Sequence, residues 1–265
     1  MNKINFLLFI IAGLLLPACD NASTNTENAA TPVMEKQLRD AMAKYPDSVL
    51  LTETLIQYFR DNSNFEQAIL ETDKAIQKDT ANDRLWDIKA TLHFQNKDTA
   101  NAIKALEKAI SIDPQPAYAI SLGLTYAQTK NAKALVLADA LLKDTLAKAA
   151  KEALFIKGFY YSYKGEYKNA ISFFDACLAI DYKNIDAYKE KAICQYNLEN
   201  YKEAIQSLEK ALALQSTFDE AYYWMGRCYE KIGDKKEAIT NYQNAIQIDP
   251  EYAEAKGALA KLGVN

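Results

Sequence analysis

The sequence predicts an all-α protein built from helix hairpins that recur along the chain. Apolar residues return three and four positions apart, which is the spacing of one helix face. No stretch alternates apolar and polar residues in the way that a half-buried strand does. The hairpins also recur at a constant interval of 34 residues. The six frames cover residues 49–82, 83–116, 117–150, 151–184, 185–218 and 219–252.

The sixth frame shows the pattern of one hairpin most clearly. Its first helix carries an apolar stripe that includes Tyr222 and Tyr229, and Gly226 on this stripe lets a neighbouring helix approach closely. Gly233 interrupts the helix, and Asp234 is placed to cap the next one. The frame therefore predicts two helices joined by a short turn.

These positions resemble the tetratricopeptide repeat (TPR). The residues at that family's large, small, aromatic and proline positions are Tyr222, Gly226, Tyr229, Ala238, Tyr242, Ala245 and Pro250. One hairpin cannot bury both of its faces, whereas stacked copies bury a continuous core. The resemblance therefore implies a TPR α-solenoid, a right-handed superhelix of hairpins, with a capping helix at each end.

The segments outside the six frames complete this organisation. The small polar residues at 19–32 predict a flexible tether, because they cannot form a core. The repeated region then spans 33–265, with an amphipathic helix at 34–45 and a last helix at 253–262 as its predicted caps.

The third frame departs from the pattern of the others. Leu122, Gly123 and Tyr126 lie one residue out of phase, and the second helix lacks the usual spacing. We expect a shorter turn near Asn131 to cause this shift.

The first 18 residues predict a lipoprotein signal peptide (1–18). Residues 6–16 are almost entirely apolar, and this run is too short to span a bilayer. The segment LPAC at 16–19 resembles the bacterial lipoprotein box, in which the cysteine becomes the lipidated N-terminus. Cys19 is therefore the predicted lipidation site, and its acyl chains would anchor the protein to a membrane. An ordinary cleaved signal, with Cys19 incidental, is the alternative.

Composition and motifs argue against nucleic-acid binding and catalysis. The formal net charge is −4 and no basic run occurs, whereas nucleic-acid affinity depends on neutralising phosphates. No glycine-rich phosphate loop and no hydrolase motif is present. His93 is the only histidine, and we interpret it as a packing residue because no nucleophile motif accompanies it. The sequence predicts no catalytic residue, no metal and no cofactor.

The remaining cysteines, Cys177, Cys194 and Cys228, are predicted to be buried packing residues. Cys194 and Cys228 occupy the same place in adjacent frames, where helices roughly 8–10 Å apart exceed disulfide reach. The sequence contains no C-x-x-C pair, so it does not indicate a zinc site.

The resemblance also predicts a binding surface. In TPR proteins the first helix of each hairpin lines a concave groove, and fixed positions of each repeat face into it. Carried over to the fourth, fifth and sixth frames, these positions predict the groove residues Phe155, Phe159, Tyr163, Lys189, Ile193, Tyr196, Tyr223 and Arg227. The rings would take apolar side chains of a bound peptide, and Lys189 and Arg227 would hold its carboxylates. The alternative is that the rings pack within the repeats.

The function implied by these resemblances is a non-catalytic scaffold, lipid-anchored in the bacterial cell envelope with the outer membrane favoured, that binds an unknown protein or peptide. The alternatives are a glycan- or small-molecule-binding lipoprotein, a regulatory subunit of a cell-wall or outer-membrane assembly complex, and a hydrolase that uses a carboxylate pair in the groove.

Overall fold

The computed structural model describes residues 27–143 and 148–264, with side chains from residue 33 onward. These residues form 14 helices and no strand, which confirms the all-α prediction. The predicted signal peptide (1–18) and Cys19 lie outside the described residues. The chain divides into two compact units, Met1–Leu55 and Ile56–Asn265.

The first unit contains α1 (Glu27–Lys44) and the start of α2 (Val49–Asp61), which continues into the second unit. Helix α1 begins seven residues before the predicted start at position 34. The part of the predicted tether from residue 27 onward is therefore helical. Alanines at 29 and 30 favour this extension, because alanine has the highest helix propensity.

The second unit is a row of helix hairpins. We call the two helices of each hairpin its first and second helix. The first helices are α2, α4 (Asp83–Gln95), α6 (Pro116–Gln128), α8 (Ala150–Lys164), α10 (Ile185–Asn197) and α12 (Asp219–Ile232). The second helices are α3 (Phe65–Lys78), α5 (Thr99–Ile112), α7 (Lys133–Lys143), α9 (Tyr167–Ile180), α11 (Tyr201–Leu214) and α13 (Lys235–Ile248). A last helix, α14 (Ala253–Lys261), stands where the C-terminal cap is predicted and packs on α13 through Ala255 and Leu259.

The turn inside each hairpin follows one backbone design. Each contains a residue in the left-handed region, and the next N–H bonds back to the carbonyl five residues earlier, as from Asp234 to Tyr229 at 2.9 Å. This residue is Gly233 in the sixth hairpin, with φ of 85°. The full set is Ser63, Lys97, Lys130, Gly165, Glu199 and Gly233. The side chain of Asp234 then accepts the N–H of Glu237 at 3.1 Å, so the predicted cap is present.

Replacing Gly233 with alanine is expected to lower the free energy of unfolding by about 1 kcal/mol, because an L side chain is strained in the left-handed region. No atom lies within 4 Å of the added Cβ, so the backbone conformation alone causes the loss. Gly257→Ala is the matched control, since its Cβ also enters open space but within helix α14. It should be stabilising by roughly 0.5–1 kcal/mol. Urea unfolding of both variants measures the two changes in the free energy of unfolding, which should have opposite signs. Equal changes would contradict a strained backbone at position 233.

The phase shift of the third frame has a different origin from the predicted one. The connection from α5 to α6 is three residues long (113–115), whereas the corresponding connections at 79–82, 181–184 and 215–218 have four. The turn around Asn131 spans 129–132 and is not shorter than the equivalent turn at 96–98, so the prediction for Asn131 was wrong. Proline at 116 begins α6 directly, because proline suits the first turn of a helix.

Small residues in the first helices make room for large ones in the second helices. A Cβ built on Gly226 would lie 2.7 Å from the ring of Tyr242, and one on Gly158 would lie 2.7 Å from the ring of Phe174. Both rings are almost completely buried. The predicted close approach at Gly226 is therefore observed.

The three cysteines of the described residues are free and buried, as predicted. Burial raises the pKa of the Cys177 thiol to about 11 and those of Cys194 and Cys228 to about 12, so all three remain protonated thiols near neutral pH.

Candidate functional site

The first helices lie side by side and are joined by hydrogen bonds from one repeat to the next. Tyr118 on α6 donates to Asp83 on α4 at 2.6 Å, and Arg227 on α12 donates to Tyr196 on α10 at 3.2 Å. The Lys189 ammonium on α10 reaches Glu220 on α12 at 2.8 Å. Gln128 on α6 donates to Tyr163 on α8 at 3.4 Å, and the thiol of Cys194 on α10 donates to Ser162 on α8 at 3.4 Å. Helices α4, α6, α8, α10 and α12 are therefore neighbours, and we call the surface that they present together the first-helix face.

Two of the predicted groove residues are buried rather than exposed. Phe159 is 4% exposed and packs in the same apolar cluster as Leu122 and Tyr126, with the ring of Tyr163 at 4.9 Å. Lys189 is 5% exposed. The predictions that Phe159 takes a ligand side chain and that Lys189 holds a ligand carboxylate are therefore wrong, because neither side chain is free to do so.

Lys189 is instead the centre of an ion cluster in which Lys189 and Glu190 are buried and Asp186 is exposed. Its ammonium lies 2.8 Å from Glu220, 3.4 Å from Asp186 and 3.7 Å from Glu190. Burial by itself lowers the pKa of Lys189, but the three carboxylates outweigh this effect and raise it, so the lysine stays charged. Burial, and then Glu220 and Asp186, raise the pKa of Glu190 to about 7 against the opposing effect of Lys189.

The other predicted groove residues reach the surface in part. They fall into two groups, one on α8 and the other on α10 and α12. These half-buried residues are Phe155, Tyr163, Ile193, Tyr196, Tyr223 and Arg227. The alternative of rings packed within the repeats therefore holds for Phe159 but only in part for the others.

Arg227 lies within an aromatic cage. The centre of its guanidinium is 4.5 Å from the ring of Trp224, 4.7 Å from that of Tyr196 and 6.0 Å from that of Tyr223. Cation–π contacts of this kind restrict the guanidinium while leaving N–H groups able to donate hydrogen bonds. Trp224 was missed by the sequence analysis, because the carried-over groove positions include its neighbour Tyr223 and not Trp224 itself. The run of three aromatic residues at 222–224 was the available signal.

A cavity of about 140 Å³ opens among the first helices α6, α8 and α10. Its lining residues are Ile120, Leu124, Glu152, Phe155, Asn184 and Asp186. It therefore joins an apolar wall to two carboxylates. A larger cavity of about 330 Å³ lies among α5, α6 and α7, where the polar groups of Glu107, Tyr126 and Lys133 bond to one another.

His93 shows no catalytic arrangement. Its Nδ1 lies 3.3 Å from Asp98, and burial lowers the pKa of the imidazole despite this carboxylate. Among the described residues, no group of histidine, cysteine, aspartate and glutamate is placed to hold a metal ion. None of the described helices is both long and apolar enough to cross a bilayer.

Comparison with known proteins identifies the repeats. Models of the tetratricopeptide repeat match residues 83–116, 151–184 and 198–262, which together make up half of the chain. A search of curated protein sequences finds no match.

Similar solved structures include a tetratricopeptide repeat protein from Parabacteroides merdae, with a TM-score of 0.73 and 19% identity over 90% of this chain and 94% of that one. PilW, described as a widely conserved type IV pilus biogenesis factor, has a TM-score of 0.62 and 18% identity over 79% of this chain and 97% of its own. A TPR protein from Thermus thermophilus has a TM-score of 0.59 and 18% identity over 68% of this chain and 98% of its own. At such identities the likeness concerns the fold. TPR domains bind peptides or proteins and are generally non-catalytic. The matches to the repeat models show that this chain belongs to the tetratricopeptide repeat family.

Proposed function

We propose that this protein is a non-catalytic scaffold that binds a peptide segment of a partner protein along its first-helix face. The observation that carries the proposal is the cage of half-exposed rings around Arg227. Aromatic side chains and arginine are the residue types that dominate binding hot spots.

The cage favours recognition of a carboxylate flanked by apolar groups. Contact with the rings of Trp224 and Tyr196 already restricts Arg227, so little further side-chain entropy is lost when it binds. Its planar guanidinium can engage a carboxylate with two parallel hydrogen bonds. The exposed parts of Tyr196 and Tyr223 would cover apolar side chains beside that carboxylate.

The same proposal includes a lipid anchor on Cys19 in a bacterial envelope. It is supported by the apolar run at 6–16 and the LPAC segment that ends at Cys19. Metabolic labelling with an alkyne-tagged fatty acid tests it: label should appear on the full chain and disappear in Cys19→Ala, and label retained in the variant would reject the anchor.

Arg227→Ala is expected to weaken peptide binding by roughly 30-fold or more, which corresponds to the loss of about 2 kcal/mol at a hot spot. The probe is a displayed library of random 12-residue peptides selected on the full chain. A selected peptide is then synthesised, and its dissociation constant is measured by calorimetry.

Lys210→Ala is the matched control, because Lys210 is exposed on the second helix α11 and its loss should leave affinity within about twofold. Unchanged affinity in folded Arg227→Ala would reject this binding site. If calorimetry detected binding of oligosaccharides but not of any selected peptide, the result would instead favour the glycan-binding alternative.

A further inference from the structure

The cavity among α6, α8 and α10 is too small for a whole ligand. Pockets for small molecules and cofactors usually measure about 300–1,000 Å³, and this one is about 140 Å³. Ile120, Leu124 and Phe155 form its apolar wall. These dimensions fit a single side chain that enters from the first-helix face.

The polar part of the lining carries two carboxylates, Glu152 and Asp186, and each of them shares its nearest lysine with other acids. The Glu152 side chain is 32% exposed, but its Oε2 atom is buried without a hydrogen-bond partner, and Oε1 is 3.9 Å from Lys151. Lys151 is itself held by Asp181 at 2.7 Å, so it neutralises Glu152 weakly. A cation that reached this carboxylate would supply the partner that it lacks.

Asp186, the second carboxylate of the lining, has a side chain that is 62% exposed. Its ion-pair partner is Lys189 at 3.4 Å, but Lys189 also forms ion pairs with Glu190 and Glu220. Glu190 and Glu220 therefore compete with Asp186 for the one lysine. Asn184, the remaining polar residue of the lining, is occupied because its Oδ1 accepts the N–H of Ala187 at 2.9 Å and caps α10.

We propose that this cavity binds a lysine or arginine side chain of a peptide that lies along the first-helix face. The methylene groups of that side chain would pack on Ile120, Leu124 and Phe155, while its cationic end meets Glu152 and Asp186. The inference rests on the proposed function for its source of ligand, but the cavity is tested separately from the Arg227 cage.

The test is a methyl NMR titration of the full chain, with Ile120 and Leu124 as reporters in the cavity wall. The probes are N-acetyl-lysine amide, N-acetyl-arginine amide and, as a neutral analogue of lysine, N-acetyl-norleucine amide. Saturable shifts of both methyl groups are expected with one or both cationic probes, and affinity should fall as salt rises. Equal binding of norleucine, or no shift with either cation, would overturn the proposal.

Variants separate this site from other acidic surfaces. Glu152→Gln combined with Asp186→Asn should weaken the cationic probe at least tenfold. Glu203→Gln combined with Glu209→Gln removes two exposed carboxylates from the second helix α11 and should leave the titration unchanged. The titration uses no selected peptide, so a failed peptide selection and a failed cavity titration are distinct results.

Discussion

Replacing Lys189 with methionine is expected to destabilise the protein by about 3–5 kcal/mol, because it leaves the buried Glu190 and its neighbour Glu220 without their cation. Methionine keeps most of the side-chain volume, so the loss comes from charge rather than from a cavity. Equilibrium unfolding in urea at pH 7.5 measures the effect. The variant Lys191→Met is the matched control on the same helix, since Lys191 pairs with the exposed Asp175 at 2.5 Å. Its loss should cost no more than about 1 kcal/mol.

The pH dependence of stability identifies the carboxyl group that destabilises the Lys189→Met variant. Glu190 has a pKa of about 7 in the folded chain against 4.5 in the unfolded one, so the folded state holds the proton more tightly. The stability contributed by the protonated carboxyl is complete below pH 4.5 and is lost as pH rises through about 7. The Lys189→Met defect should therefore be larger at pH 8 than at pH 5, and adding Glu190→Gln should relieve part of it. A defect that does not change with pH and is not relieved by Glu190→Gln would contradict this account.

Replacing Phe174 with alanine is expected to cost about 3–5 kcal/mol, the range for removing a buried aromatic ring. Phe174 is 0% exposed, fits against Gly158 and lies 5.5 Å from the ring of Phe155. Its loss opens a cavity at the contact between α8 and α9. Thermal and urea unfolding measure the change.

Phe173→Ala provides the neighbouring control. Phe173 is only half buried and stacks on Tyr161 at 5.4 Å. Its removal should cost about 1–2 kcal/mol. Equal losses at the two positions would mean that Gly158 and Phe174 do not form the close contact described above.

The hairpins and their close contacts followed from the sequence because they depend on residues near one another in the chain. The stripe of α12, the glycine at 226 and its partner Tyr242 all lie within one frame of 34 residues. The phase of the third frame was harder to predict, since it depends on the loss of one residue from the connection at 113–115. The sequence PQP at 114–116 carried that signal.

The candidate site was predicted less completely because it depends on contacts between frames. Lys189 has the spacing of an exposed residue on α10, but it is buried and its ammonium is bound by carboxylates that include Glu220, 31 residues away. Phe159 is buried by the cluster it shares with Leu122 and Tyr126 of the preceding, phase-shifted hairpin. Arg227 and Tyr196 were predicted as separate groove residues, whereas their contact through the cage with Trp224 required the structure.

The most direct test of peptide binding on the first-helix face is photo-crosslinking of a selected peptide that carries benzophenone, followed by mass spectrometry of the adducts. We expect adducts on α8, α10 and α12, with Tyr196, Tyr223 and Trp224 prominent among them. Adducts confined to the second helices α9, α11 and α13 would contradict the account.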